Sequence, residues 1–311
     1  MKKTLFLTGA AGFIGNATVS EALQQGWRVK ALVHSAESAA RIQKIGAEPF
    51  VGDVGQPDTW IAEAQDADVF IDLVQPKLPA RLNMKAIQAI SAERQEMTRG
   101  ILQALQTLRA ESRPLFFSVS GADDLQPLQG VISHKSPVRT QLRGFAHIGV
   151  PVHRLVESSG VDATFLYMGS MVYGPGKIFA EQYVMGLKKG TARIVGNGNN
   201  HLPLTHVTDA ARAIVHLAGL PKAELVGRTF VVMDGADTTQ RALLNETADT
   251  LGVKRPAAVL TLLATLVAGS IGVETVTLDV HADPSALLAT GFQFQYPSYR
   301  EGVPVTVKEL E

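Results

Sequence analysis

Residues 8–15 read TGAAGFIG, and no other stretch restricts the fold of this chain so strongly. They follow a short apolar run, KTLFLTG, and open an amphipathic one, which places the glycines in a strand–turn–helix. Each glycine then has a physical reason: a tight turn, a backbone able to touch a pyrophosphate, and close packing of helix on strand, with the phosphates at the helix N-terminus. Thr8, Gly9, Ala11, Gly12, Phe13, Ile14 and Gly15 are therefore the first candidate cofactor contacts.

The alternation continues. WRVKALVH, AEPFVGDV, ADVFIDLVQ, RPLFFSVSG and VDATFLYMG read as strands that are apolar nearly throughout. Helical stretches separate them, including Ile14 to Gln25, a long one from about Arg81 to Ala110 and one around Val150 to Ser159. Such strands belong to a parallel sheet covered on both faces. The sequence thus predicts an α/β fold: a doubly wound (Rossmann) parallel sheet over residues 1–169. A returning segment at about 203–234 adds the strand RTFVVMDG, and residues 170–202 and 235–311 form a smaller C-terminal substrate-binding lobe.

A dinucleotide site for NAD usually places a carboxylate at the end of the second strand, on the ribose 2′-hydroxyl. Here that end carries His34 and Ser35, with Arg41 on the next helix, so nothing acidic at that point repels a 2′-phosphate and NADP is favoured. Glu37 keeps NAD open. Asp53 and Val54, ending the third strand, are placed to flank the adenine. Further cofactor contacts are placed where later strands end, at Leu73, Val74, Gln75, Ser118, Met168, Gly169 and Ser170.

With 29 basic and 29 acidic residues well mixed, no charge footprint for nucleic acid or an anionic membrane stands out, and a small-molecule substrate is the expected partner. The absence of cysteine excludes disulfides, thiolate nucleophiles and thiolate-bound metals, and suits a reducing, cytoplasmic setting. No metal-ligand set is assigned, and a homodimer stays open. The opening MKKTLFLTGAAGFIG has the outline of a secretion signal, but its apolar core is short and its glycines are used by the phosphate turn. The seventeen-residue apolar run from Ala257 to Val273 is at the lower limit for a membrane span, and a buried or interface helix is the expected reading.

The chain resembles the extended short-chain dehydrogenase/reductase family, which includes NAD-dependent epimerases and dehydratases. The likeness rests on TGAAGFIG, the Asp53–Val54 pair, MVYGPG (Met171 to Gly176), the His206–Val207–x–Asp209 element in GNGNNHLPLTHVTDAARAI, and the terminal DPSALLATGFQFQYPSYREGV. It implies hydride transfer assisted by a Ser/Thr, a Tyr and a Lys. The tyrosine acts as acid or base, the lysine lowers its pKa and holds the nicotinamide ribose, and the serine polarises the substrate oxygen. Ser120 falls at the serine position. The family spacing puts Phe145 where the tyrosine belongs and Gly149 where the lysine belongs, making this an atypical member. The Tyr173 and Lys177 of YGPGK are not a substitute, because Gly174, Pro175 and Gly176 cannot form the helix turn that would stack them. His201, Leu202 and Pro203 replace the arginine with which sugar-nucleotide members hold a diphosphate, which favours a small, largely apolar substrate.

Phenylalanine moves no proton, so another group must do so or the reaction must not need one. His134 and Lys135, in the loop between Ser120 and the following helix, are the expected catalytic substitutes. His147 points away from the old site, His201 is a further candidate, His206 reads as a helix pin, and Asp123 and Asp124 are within reach as bases although a turn or helix-cap role is the expected one. Three functions stay open: an NADP-dependent reductase or isomerase, a non-redox enzyme performing elimination, cyclisation or isomerisation, and a dinucleotide-binding sensor without turnover.

Overall fold

In the computed structural model, which describes residues 2–79 and 81–311, seven parallel strands form one sheet. They are β1 (Thr4–Thr8), β2 (Arg28–Val33), β3 (Glu48–Val51), β4 (Val69–Asp72), β5 (Leu115–Gly121), β6 (Ala163–Met168) and β7 (Thr229–Val232). Their order is β7-β6-β5-β4-β1-β2-β3, a doubly wound arrangement whose direction reverses beside β1. The helices that link and cover the strands are α1 (Phe13–Gln24), α2 (Ala36–Lys44), α3 (Met84–Thr107), α4 (Ala146–Ser158) and α5 (Val207–Gly219).

Alternate strand residues face opposite sides, and each side has its own core. On one, Leu5, Leu7, Val29 and Ile71 pack under Val19 of α1 and Ile214 of α5. On the other, Phe6, Phe70 and Phe116 run across the sheet with ring centroids 5.1 and 5.8 Å apart, under Ile101 and Leu105 of α3 and Val152 of α4. Each of these fully buried rings contributes roughly 1.5–3 kcal/mol by leaving water.

The smaller lobe is built from α6 (Gln240–Thr250), α7 (Thr261–Ala268), α8 (Ser270–Val276) and α9 (Tyr299–Glu309) with short strand pairs. Its own core gathers Tyr173, Phe179, Leu204, Leu243 and Val303. Two sequence expectations need correction. Leu287 and Phe292, placed by the sequence in the lobe, belong to the sheet core on the α1/α5 side, because the chain returns there before α9. The apolar run Ala257–Val273 is not one buried helix but α7 and α8, broken at Gly269, whose φ is 85° and whose added Cβ would meet the Leu82 carbonyl oxygen at 2.1 Å. Leu262 and Val267 of α7 are exposed at 74% and 79%. Among the described residues no helix is long and apolar enough to cross a membrane.

A buried charge knot joins the first turn to the sheet. Asp72, at the end of β4, accepts from Thr8 Oγ1 and from Arg94 of α3, both at 2.7 Å, and Arg94 also donates to Thr98 at 2.7 Å. Asp72 and Arg94 are 1% and 2% exposed, so removing either partner strands a charge in the interior. Asp72→Ala is expected to destabilise the chain by about 3–5 kcal/mol, and Thr8→Val by about 1 kcal/mol, read from urea unfolding midpoints. A shift for Asp72→Ala no larger than that for Thr8→Val would contradict the knot.

Candidate active site

The carboxyl ends of β1, β2, β4, β5 and β6 open onto a cleft of about 820 Å³, within the size range of cofactor sites. Gly9, with φ 67°, lies so close to β4 that a Cβ there would meet the Leu73 carbonyl oxygen at 2.5 Å, and one on Gly15 would meet the Gly9 oxygen at 2.2 Å. The chain can make this turn only without side chains at both positions. α1 then begins at Gly12 with no side-chain cap and no acidic residue in its first turn, which leaves its first amides and its positive end for an anion.

Thr8, Gly9, Ala11, Gly12, Phe13, Ile14 and Gly15 line the cleft. So do His34, Arg41, Asp53, Val54, Leu73, Val74, Gln75, Met168, Gly169, Ser170 and Ser120. Two of the expected cofactor contacts are elsewhere. Ser35 caps α2, accepting from the Ser38 amide at 3.2 Å, and Ser118 is buried within β5, in register with Asp72 and Phe165. The Ser170 Oγ is buried with no hydrogen-bond partner in the protein. A free anion-binding helix start at one end and an orphaned hydroxyl at the other fit an elongated dinucleotide with a diphosphate in its middle.

His134 and Lys135 do not line the cleft, and neither do His147 or His201. His206 is 3% exposed and pins α5. Its Nδ1 accepts from the Thr208 amide at 3.2 Å, its Nε2 lies 3.1 Å from Thr306 Oγ1, and burial pushes its pKa down to about 4. Tyr173 is fully buried in the lobe core while Lys177 lines the cleft at φ 52°, so the two do not share a face. Lys177, considered in the sequence only as the partner of Tyr173, and Lys77 after β4, which the sequence did not single out, both line the cleft.

The group that sequence reasoning treated as a turn residue holds the most distinctive place. Asp124 is 1% exposed, and its Oδ2 accepts from Ser120 Oγ at 2.5 Å. Its carboxyl lies under α4 at Gly149, where an added Cβ would sit 2.0 Å from Oδ2 and 2.3 Å from Oδ1. Asp123 does the same at Gly144, whose Cβ would lie 2.3 Å from its Oδ2. That oxygen accepts from the Phe145 amide at 2.8 Å and Thr275 Oγ1 at 2.9 Å. Arg139 clamps the turn, donating to the carbonyls of Asp123 and Leu125 at 2.9 and 3.0 Å. Burial pushes the Asp124 carboxyl up to about 8, the Ser120 hydrogen bond opposing and the neighbouring Asp123 adding to the rise. At neutral pH it is therefore mostly an acid with a proton to give. Tyr167, across the sheet from Ser120, is turned away from the cleft lining, its hydroxyl 2.8 Å from His153 Nδ1, and burial holds its pKa well above the ordinary value.

Comparison with known proteins gives this geometry relatives. The sequence profile of the NAD dependent epimerase/dehydratase family matches residues 5–232. A ceramide reductase from Caulobacter vibrioides is 23% identical over 80% of this chain and 70% of its own. Human epimerase family protein SDR39U1, crystallised with NADPH, superposes with a TM-score of 0.80 at 16% identity over 99% of this chain and 100% of its own. DesIV, a dTDP-glucose 4,6-dehydratase from Streptomyces venezuelae solved with NAD and TYD, gives 0.77 at 19% identity, over 98% and 96%.

Because the folded pKa of Asp124 is raised from 3.8 to about 8, the stability linked to its proton is fully present below 3.8 and is lost progressively as pH rises from there to about 8. Wild type is therefore expected to lose stability relative to Asp124→Asn across that window, measured as urea midpoints at several pH values. A difference independent of pH would show that the carboxyl is not held protonated.

Proposed function

The chain belongs to the NAD dependent epimerase/dehydratase family, and we propose that it is an NADP(H)-dependent reductase of a small, largely apolar carbonyl compound in which Ser120, backed by Asp124, transfers the proton. The observation that carries this reading is the buried Asp124 carboxyl lying behind Ser120 Oγ, in the volume that Gly149 leaves free, where burial pushes its pKa up to about 8. A nicotinamide dinucleotide bound in the cleft would supply the hydride. Ser120 borders the cleft, and in this reading its hydroxyl meets the substrate oxygen. With substrate bound, the Ser120 hydroxyl would turn from Asp124 Oδ2 to that oxygen and give it its proton, while the protonated Asp124 donates in its place to Ser120 Oγ, refills it, and is reprotonated from water after product leaves. Ser120 is the catalytic residue and Asp124 the positioning residue that refills it.

Phe145, Ile148 and Val152 from α4 border the same cleft with Val119 of β5, which suits an apolar substrate. The ceramide reductase among the relatives supports reduction as the reaction. At the adenosine end, His34 and Arg41 line the cleft with no carboxylate ending β2, which supports NADP over NAD.

The test is NADPH oxidation, followed by absorbance, with a panel of apolar ketones and aldehydes. Wild type is expected to turn over, with a rate that falls as pH rises through about 8, since only the protonated acid serves. Ser120→Ala and Asp124→Asn should lower kcat by about 10²–10⁴-fold, and Asp124→Asn should also lose that pH limb, which a merely structural role would not move. Arg41→Ala should raise KM for NADPH by roughly tenfold and leave NADH unchanged, the loss expected for one charge-assisted hydrogen bond. Tight NADPH binding without turnover on any substrate of the panel would overturn the reductase reading.

A further inference from the structure

Outside the cleft lining, three segments bring two imidazoles and a carboxylate to one point. His201 lies just before the strand Leu204–His206, Asp237 in the loop after β7, and His281 in the strand His281–Ala282, which pairs in parallel with Val131–Ile132. His201 Nε2 is 3.2 Å from Asp237 Oδ1, and His281 Nδ1 is 3.8 Å from the same oxygen. One ligand atom from each of the three lies within 4.8 Å of the others.

We propose that His201, His281 and Asp237 form a binding site for a divalent transition cation of the zinc type, with Asp279 orienting His201. Tetrahedral bonds of about 2.0–2.1 Å hold ligand atoms about 3.4 Å apart, between the two separations seen here. The outer shell is already in place. Asp279 Oδ1 lies 2.8 Å from His201 Nδ1 and also accepts from the His201 amide at 2.8 Å, fixing the ring as a carboxylate fixes a metal-bound histidine.

Hydrogen-bond chemistry argues the same way. A neutral His201 that donates from Nδ1 to Asp279 has only a lone pair at Nε2, yet Nε2 faces the carboxylate oxygen of Asp237, another acceptor. Two acceptors at 3.2 Å need a cation between them or a second proton on the ring. The His201 and His281 rings stand 4.2 Å apart at 36°, close enough for both to reach one ion. Two imidazoles and one carboxylate select zinc-like ions over magnesium or calcium, which prefer oxygen ligands. The side chains of His201, Asp237 and His281 are 30%, 75% and 48% exposed, so water completes the coordination.

The ion would tie together segments far apart in sequence. Val280 N donates to the His201 carbonyl at 3.2 Å, His281 N to Gly130 at 2.9 Å and Asp283 N to Ile132 at 2.8 Å. Binding would therefore stiffen the 130–132 turn, which leads into the loop holding His134 and Lys135.

Titration calorimetry of the tag-free full chain, stripped with chelator and then given zinc chloride, tests the site. One zinc per chain with micromolar or tighter Kd is expected, together with a rise in thermal midpoint, and no heat from magnesium or calcium. Asp279→Asn should weaken binding by about 10–100-fold as an outer-shell change; His201→Ala and His281→Ala should weaken it further, with metal-free melting curves unchanged. His281→Gln, at an exposed position, gives a second variant if His201→Ala fails to fold. No stoichiometric heat, or wild-type affinity in the His281 variants, would overturn the site.

Discussion

A carboxyl group can lie beneath α4 only if the helix has no side chain at position 149. Gly149 satisfies that condition, and the rest of this end of the cleft follows from it. With Asp124 seated there, Ser120 has an acceptor at 2.5 Å and a fixed hydroxyl direction. Gly144 gives Asp123 the matching space one turn earlier, Thr275 of α8 reaches in to share it, and Arg139 holds the connecting turn by its carbonyls. In members carrying the full Ser–Tyr–Lys set, a lysine would grow from position 149. Here its root would collide with Asp124, so acid on the strand side and lysine on the helix side exclude each other. The low-dielectric setting that makes this acceptable also raises the pKa of the acid, since desolvation disfavours the charged carboxylate.

The other end of the cleft is set by backbone instead. Gly9 and Gly15 let the first turn close onto β4, and Asp72 fastens that turn through Thr8 while neutralising Arg94. The start of α1 is left open because no side chain caps it. One end thus offers peptide amides on a rigid frame, and the other a serine hydroxyl backed by a buried carboxyl. In the proposed reading, this division keeps the cofactor cradle of the family while the acid–base chemistry passes to different residues.

Much of this was legible in the sequence. The strands are nearly continuous apolar runs, which only a sheet covered on both faces explains, and the glycine spacing identifies the turn at β1. By the family spacing, Phe145 and Gly149 stand where the resemblance implies a tyrosine and a lysine. What replaces them was not. Asp123 and Asp124 look like any turn pair, and only the folded chain shows that each faces a glycine across the β5–α4 gap. His134 and Lys135 drew attention because they titrate or carry charge in the expected loop, yet the strand pair Val131–Ile132 with His281–Ala282 holds that loop against the lobe, outside the cleft lining. Ser35 and Ser118 fell on the right strands but serve as a helix cap and as buried strand packing. Residues 285–294 were placed in the lobe because sequence order suggested it, whereas Leu287 and Phe292 return to the sheet core.

Burial behind Ser120 pushes the Asp124 carboxyl up to about 8, so the acid should keep its proton at neutral pH. Infrared difference spectroscopy between wild type and Asp124→Asn measures this directly. A carboxylic-acid C=O band is expected at pH 7 in wild type only, disappearing into carboxylate bands as pH passes about 8. A wild-type spectrum showing only carboxylate at that position near neutrality would contradict it.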